Sequence, residues 1–266
     1  MLLRDAVKPV LVFHFVFDMR IALLGYGKMG HEVEKAALAQ GHEIVVTIDN
    51  EQEWNERIDL LKKADVAIEF SQPDQAFANI NRCFDLHLPI VVGTTAWYDR
   101  LDEVRERCLA EGQSLFYAPN FSIGMNMVFM MNKQLARFAE QYGYSLKVAE
   151  THHIHKLDKP SGTAAKLAND IIAENSRYQR WIIDENVIAS EAKQSTHPHD
   201  CGVLPIEVTR EGEVFGIHSI TAQSTADRIT LTHEAFSREG LAKGALSAAQ
   251  FLFGKTGVFT MENLFC

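Results

Sequence analysis

Three histidines and a lysine fall between positions 152 and 156, in the run E-T-H-H-I-H-K-L-D-K-P-S-G-T from Glu150 to Thr163. Such a segment concentrates proton donors, positive charge and free backbone N–H groups, which suits binding an anion and moving a proton onto it. Residues at i and i+2 share one face of an extended strand. His153 and His155 are therefore expected to point one way, and His152 and Ile154 the other, with Ile154 marking a half-buried face. Pro160 halts any helix until Ser161, which can cap one running through Lys166 to Ile171. An anion fits that helix start. The N–H groups of Gly162 and Thr163 and the helix dipole would favour it, Gly162 would let it come close, and Lys156 would add charge. A plainer reading makes these ordinary hydrogen-bonded histidines before an ordinary helix. Metal binding is disfavoured, because strand alternation splits the histidines and neither cysteine nor a His-x-x-x-His pattern completes a ligand set.

A second motif weighs against the plain reading. R-I-A-L-L-G-Y-G-K-M-G, Arg20 to Gly30, is followed by a helical pattern with Val33, Ala36, Ala37 and Leu38 inward, and then by E-I-V-V-T-I-D-N. It reads strand, glycine-rich turn, helix, strand. Gly25 would permit the tight turn, Gly27 the approach of a pyrophosphate, and Gly30 close helix packing. Asp49, closing the second strand, stands where a carboxylate can accept hydrogen bonds from an adenosine ribose, as NADH requires. Lys28 could instead pair with the 2′-phosphate of NADPH. Both cofactors stay open.

The elements that must position these residues continue in alternation. V-A-I-E-F (Val66 to Phe70), a helix from Pro73 to about Leu86, P-I-V-V-G-T-T (Pro89 to Thr95), a helix near Asp99 to Ala110 and a strand from Ser114 to Tyr117 predict a doubly wound sheet. Ligands of such sheets gather beyond the strands' carboxyl ends. Those ends carry Phe70, Ser71, Gly93, Thr94, Thr95 and Asn120, each of which alone is ordinary turn chemistry. After Pro119 comes a methionine-rich helix from Ile123 to about Tyr142, whose Met125, Met127, Met130 and Met131 read as core or interface packing. Strands at Val203 to Arg210, Val214 to Ala222 and Arg228 to Glu234 read as an antiparallel run, and an amphipathic helix spans Arg238 to Phe253. Arg177 to Gly202 lacks a period and reads as a long loop, with His197 and His199 solvated.

Composition fits a globular enzyme. With 266 residues, 47% hydrophobic and 23% charged, the chain can bury one or two cores. A net charge of -9 and the lack of a basic stripe argue against a nucleic-acid surface. Cys83, Cys108, Cys201 and Cys266 are scattered and read as reduced thiols. Val10 to Phe17 is apolar apart from His14, yet too short to span a bilayer and without a convincing cleavage site, so a cytoplasmic protein is expected. Met19 reads as the true start, leaving residues 1 to 18 as an extension.

Taken together, G-Y-G-K-M-G, V-G-T-T, A-P-N-F-S-I-G-M-N and E-T-H-H-I-H-K-L-D-K-P-S-G-T resemble the 4-hydroxy-tetrahydrodipicolinate reductase (dihydrodipicolinate reductase) family of lysine and diaminopimelate synthesis. The resemblance runs from Met19 to Phe265. It implies an α/β chain with a Rossmann-type doubly wound parallel sheet, residues 1–121 and 236–266, and a second α+β domain, residues 122–235, whose open mixed sheet binds substrate and assembles a homotetramer. NADH or NADPH would reduce a small cyclic dicarboxylate, with neither nucleic acid nor membrane as partner. By position, His152 would be the general acid and Lys156 the second catalytic group. His153, Lys156, Ser161, Gly162 and Thr163 would hold the substrate's carboxylates. The cofactor would lie against Gly25, Tyr26, Gly27, Lys28, Met29, Gly30, Asp49 and Phe70, its nicotinamide ring by Gly93, Thr94 and Thr95, with Ala118, Asn120 and Phe121 at the hinge between domains. Ile154 departs from the arginine of many members, and Arg177 to Gly202 matches poorly. Two rivals remain: another amino-acid dehydrogenase on this scaffold, acting on aspartate or diaminopimelate, and a nucleotide-sensing protein without turnover. The His-His-Ile-His-Lys cluster speaks against the first, and intact His152 and Lys156 without a DNA-binding module against the second.

Overall fold

The computed structural model describes residues 18–184 and 202–265. Its first half alternates β1 (Arg20–Leu24), α1 (Lys28–Ala39), β2 (Glu43–Ile48), α2 (Glu51–Leu61), β3 (Val66–Glu69), α3 (Pro73–Asp85), β4 (Ile90–Val92), α4 (Leu101–Ala110) and β5 (Ser114–Tyr117). Strands covered on both faces must be apolar throughout rather than alternating, and Ile21, Ala22, Leu23 and Leu24 are all buried. Ile21, Leu23, Ile68, Val91 and Phe116 pack on α1 and on the late helix α7 (Glu239–Leu252). Ala22, Leu24, Ala67, Ile90, Val92 and Leu115 pack against α2, α3 and α4. The six strands, all parallel, take the order β11-β5-β4-β3-β1-β2, with β11 (Gly257–Phe259) returning from the C-terminal segment to pair with β5.

The rest of the chain builds a second sheet. The methionine-rich helix is α5 (Ile123–Tyr142), followed by β6 (Ser145–His152), α6 (Gly162–Glu174), β7 (Arg180–Asp184), β8 (Val203–Arg210), β9 (Ile217–Gln223) and β10 (Arg228–Glu234). Strand order is β10-β9-β6-β8-β7. β8 runs parallel to β6 and β7, whereas β9 runs antiparallel to β6 and β10. The second sheet is thus mixed, and the late strands are not the uninterrupted antiparallel run expected, because β6 inserts between β8 and β9. Leu146, Val148, Leu204, Ile206 and Ile220 share a core with α5 and α6.

Several sequence expectations need correction. Leu38 is 57% exposed, since one step beyond inward-facing Ala37 turns it out of the stripe. The stretch from Arg177 opens with the edge strand β7 rather than loop; residues 185–201, including His197, His199 and Cys201, lie outside the described set, as do residues 1–17 and Cys266. Of the four methionines, Met125 is buried in the α5/α6 core while Met127, Met130 and Met131 are exposed.

Candidate active site

The carboxyl ends of the parallel strands bring the glycine-loop residues together. Gly25, at a positive φ of 87°, lies so close to the end of β3 that a Cβ there would sit 2.3 Å from the Phe70 carbonyl oxygen. A Cβ on Gly30 would lie 2.5 Å from the Gly25 carbonyl oxygen. Gly27 caps α1 and has open space above it, so the loop can accept a pyrophosphate against bare backbone. The loop is held from below, since the Tyr26 N–H donates to Asp49 Oδ1 at 2.8 Å and the Tyr26 hydroxyl donates to Glu34. Met29 packs on the core behind the loop, and Lys28 is exposed beside it.

Phe70 links this loop to the next strand ends. Its ring fills the space over Gly93, where a Cβ would meet the ring at 2.0 Å, and its edge meets Phe121 at a centroid distance of 6.0 Å. Thr94 is buried, Thr95 is exposed, and Ala118 is buried beside β4 through its N–H bond to the Val92 carbonyl at 3.2 Å. Asn120 reaches towards the second sheet, its Nδ2 lying 3.4 Å from Thr163 Oγ1.

The histidine run behaves differently from the extended strand expected. β6 ends at His152, because its next backbone bonds go to a turn beyond β8: His153 N–H donates to the Val214 carbonyl at 2.8 Å and Ile154 N–H to that of Gly212 at 3.2 Å. Lys156 N–H then closes back on the His153 carbonyl at 3.2 Å. Ile154 is consequently 60% exposed rather than half-buried, and His155 points to solvent to pair with Glu213 at 3.0 Å. Lys156 Nζ is taken up by Asp158 at 2.8 Å.

Alternation upstream of His152 sets the centre of the site. Leu146, Val148, Glu150 and His152 share one buried face of β6. The first two join the α5/α6 core; the last two lie beyond it, beside the start of α6. Ser161 caps that helix, its Oγ accepting from Ala164 N–H at 3.2 Å, and its own N–H donates to both oxygens of Glu150 at 3.1 Å. Among the described residues, the N–H groups of Gly162 and Thr163 donate to no protein acceptor, as expected of an anion-binding helix start. Both nitrogens Nη1 and Nη2 of Arg210 reach Glu150 Oε1 at 3.2 Å. Glu150 Oε2 faces two imidazoles, 3.5 Å from His152 Nδ1 and 3.8 Å from His218 Nε2.

Glu150, His152 and His218 place three ligand-type atoms within 4.8 Å of one another. Arg210 and the Ser161 N–H already answer the Glu150 charge, which leaves little for a cation to gain. Burial pushes the His152 imidazole below its ordinary pKa, with Glu150 opposing and Lys156 and Arg210 reinforcing. Burial likewise pushes His218 down to about 3, so it is a neutral imidazole at neutral pH.

A cavity of about 490 Å³ joins the two sheets, walled by His152, His153, Thr163, Gly216, His218 and His233 on one side, Asn120 between, and Arg238 to Leu241 with Lys243 on the other. Lys156, Ser161 and Gly162 are not among the residues that wall it; Ser161 is buried, and Gly162 is exposed with open space above it. Sequence reasoning missed Glu150, Arg210, His218, His233 and Arg238. Only Glu150 carried a local signal, two residues from His152 on the same strand face.

Comparison with known proteins places this geometry. Residues 19–121 match the family model of the dihydrodipicolinate reductase N-terminus, and residues 124–265 that of its C-terminus. The chain is 42% identical to the 4-hydroxy-tetrahydrodipicolinate reductase of Christiangramia forsetii over 92% of its own length and 97% of that protein's. It is 33% identical to that of Staphylococcus carnosus over 92% and 99% of the two chains. In fold it resembles a dihydrodipicolinate reductase from Paenisporosarcina sp. TG-14 solved with dipicolinate bound, with a TM-score of 0.72 at 22% identity, covering 93% of this chain and all of that one.

Proposed function

The chain belongs to the dihydrodipicolinate reductase family of NAD(P)H-dependent oxidoreductases, and from that premise we propose how its residues divide the reduction of 4-hydroxy-tetrahydrodipicolinate to tetrahydrodipicolinate in lysine and diaminopimelate synthesis. The observation that supports this reading best is the cavity wall that joins His152, His153 and Thr163 to Asn120, which follows the cofactor-side strand β5. Residues 19–121 with 236–265 act as the dinucleotide domain, and 122–235 as the substrate and tetramerisation domain of a cytoplasmic homotetramer. Among the described residues no helix is long and apolar enough to cross a membrane.

The glycine loop and Asp49 hold the cofactor, with Phe70, Gly93, Thr94, Thr95, Ala118 and Phe121 walling the nicotinamide end. The reduced nicotinamide supplies a hydride when bound. NADH is the preferred form, because the exposed Asp49 and neighbouring Glu53, whose Oε2 accepts the Asp49 N–H at 2.7 Å, would repel a 2′-phosphate. Lys28 leaves NADPH usable.

His153, Thr163 and the N–H groups opening α6 take one substrate carboxylate. Lys156 swings from Asp158 to the substrate when the domains close. His152 delivers the proton. In the free protein its imidazole is neutral near neutral pH, because burial lowers its pKa. A dicarboxylate arriving beside it favours the imidazolium, so the substrate's own charge arms its acid.

Oxidation of NADH or NADPH by purified protein supplied with the product of dihydrodipicolinate synthase tests the assignment. Rapid, substrate-dependent loss of reduced-nicotinamide absorbance, faster with NADH, is expected. Cofactor binding with no oxidation of either form would refute the reductase reading.

A further inference from the structure

A proton donor at His152 requires a group that aims its ring. Resting on that proton-donor role, we propose that Glu150 is the positioning residue of this site: with Arg210 it fixes the His152 ring and the start of α6 as one unit, so that proton donor and carboxylate cradle keep a constant separation.

The strand register sets this up. Glu150 lies directly opposite His218 on β9, and His152 opposite Arg210 on β8, so the four side chains form a block on one face of three adjacent strands. A carboxylate only 2% exposed is tolerable only when its charge and lone pairs are met. Arg210 holds Oε1, the Ser161 N–H bridges both oxygens, and Oε2 is left facing His152 Nδ1 at 3.5 Å. His152 Nδ1 is buried without a hydrogen-bond partner among the described residues, and the Glu150 Oε2 that lies 3.5 Å from it carries the charge that favours a hydrogen on Nδ1. The proton to be donated then belongs to Nε2. Nε2 is the atom that faces Gly216 on the cavity wall, where a Cβ would lie 3.0 Å from it. Glu150 therefore selects the nitrogen that delivers the proton. Through Ser161 the same carboxylate sets where the free N–H groups of α6 begin. Arg210 extends the unit, since its Nε and Nη2 hold the Lys156 and Asp158 carbonyls at 3.2 and 2.6 Å.

The charged and titratable groups facing His152 are Glu150 on β6, Lys156 and Asp158 in the following turn, Arg210 on β8 and His218 on β9. Glu150 and Arg210 act on it with opposite signs, and this supplies a test that simple loss of packing cannot imitate. A general acid must be protonated to work, so kcat falls as pH rises through its pKa in the complex. Glu150→Gln keeps an acceptor for Ser161 but removes the negative charge, and should move that alkaline limb down by about one pH unit with a fall in kcat of about tenfold or more. Arg210→Gln should move the limb up. A ring-resolved NMR titration of His152 in both variants, with NADH bound, should show the same opposed displacements. Limbs and titrations that stay at the wild-type position, or move together, would overturn the proposal; if Glu150→Gln does not fold, the direction given by Arg210→Gln decides. A wild-type protein without turnover would instead remove the reductase reading, while the NMR titrations would still judge the role of Glu150.

Discussion

Lys156 illustrates how a reactive side chain can be present and yet held back. Its ammonium lies 2.8 Å from Asp158 Oδ1 and does not reach the cavity wall. On the proposed mechanism a substrate carboxylate would have to compete with Asp158 for it, and its contribution would be made in the closed complex. Lys156→Ala should lower kcat at least ~100-fold, the scale of a positioned catalytic group, while NADH quenching of intrinsic fluorescence gives an unchanged Kd. Unaltered turnover would remove Lys156 from the mechanism. The opposite pattern is expected at Asp49, which supports the loop through the Tyr26 N–H and faces the expected ribose: Asp49→Ser should raise KM for NADH several-fold with kcat nearly constant and narrow the gap to NADPH, read from steady-state kinetics with both cofactors. At this scale the sequence is legible where the candidate site is built from contiguous motifs. The glycine loop opens α1 and Ser161 caps α6 as their motifs implied, whereas β6 ends at His152 and His153 leaves the strand expected for it. Arg210, His218 and Arg238 reach the site only through cross-strand register and the return of α7, which adjacent residues do not encode. Glu150 was within reach, because the alternation applied forward from His152 fails at the turn but holds when applied backward to Leu146.

Among elements, α7 decides how the two sheets meet. It presents Ala242, Gly244, Ala245, Ala248 and Ala249 to its surroundings, and these small side chains let it lie close to α1 and to the chain leaving β5. A Cβ at Gly244 would stand 1.7 Å from the Phe121 carbonyl oxygen, a backbone atom that cannot rotate away. Gly244→Ala should therefore destabilise the protein by ~3 kcal/mol or more, the upper range for overpacking, measured by urea unfolding, and should displace Phe121 enough to weaken NADH binding. Wild-type stability would show that α7 moves at little cost. Elements with many periodic residues were readable from sequence: β5, β8 and β10 have the expected limits, and α5 spans the expected helix. Those missed carry weak signals. α2 buries only Trp54 and Leu61, β11 is three residues long, and β7 is an edge strand without a fully buried residue. The mixed order of the second sheet was illegible for a different reason: pairing β8 with β6 is a long-range choice made by the shared α5/α6 core.

Over the whole molecule, the same burial that prepares the site sets how stability depends on pH. Burial lowers the pKa of His42, His152 and His233, and pushes His218 down to about 3 from an ordinary 6.5. Each of these groups is freer to take a proton in the unfolded chain than in the folded one. Stability from them is therefore complete above about 6.5, and for His218 it is lost progressively as pH falls from there to about 3. His218 alone represents a loss of a few kcal/mol, on the order of 1.4 kcal/mol for each pH step across which only the unfolded chain holds the proton, before structural relaxation. Glu69 acts in the other direction. It is fully buried at the end of β3, its Oε2 has no hydrogen-bond partner among the described residues, and burial raises its pKa. Its folded form takes up a proton more readily than the unfolded chain, so acidification relieves rather than adds strain there. The histidines outnumber it, and net acid destabilisation is expected to begin near the histidine range rather than at the carboxylate range. Urea midpoints measured across this interval should fall steeply in the wild-type protein and less steeply in His218→Asn, whose side chain cannot charge. Glu69→Gln should raise the midpoint most at alkaline pH, where the wild-type carboxylate is ionised in the core. Equal slopes for wild type and His218→Asn would assign the acid transition to the surface ion pairs instead, and with it remove the link between the buried imidazoles of the site and the stability of the fold.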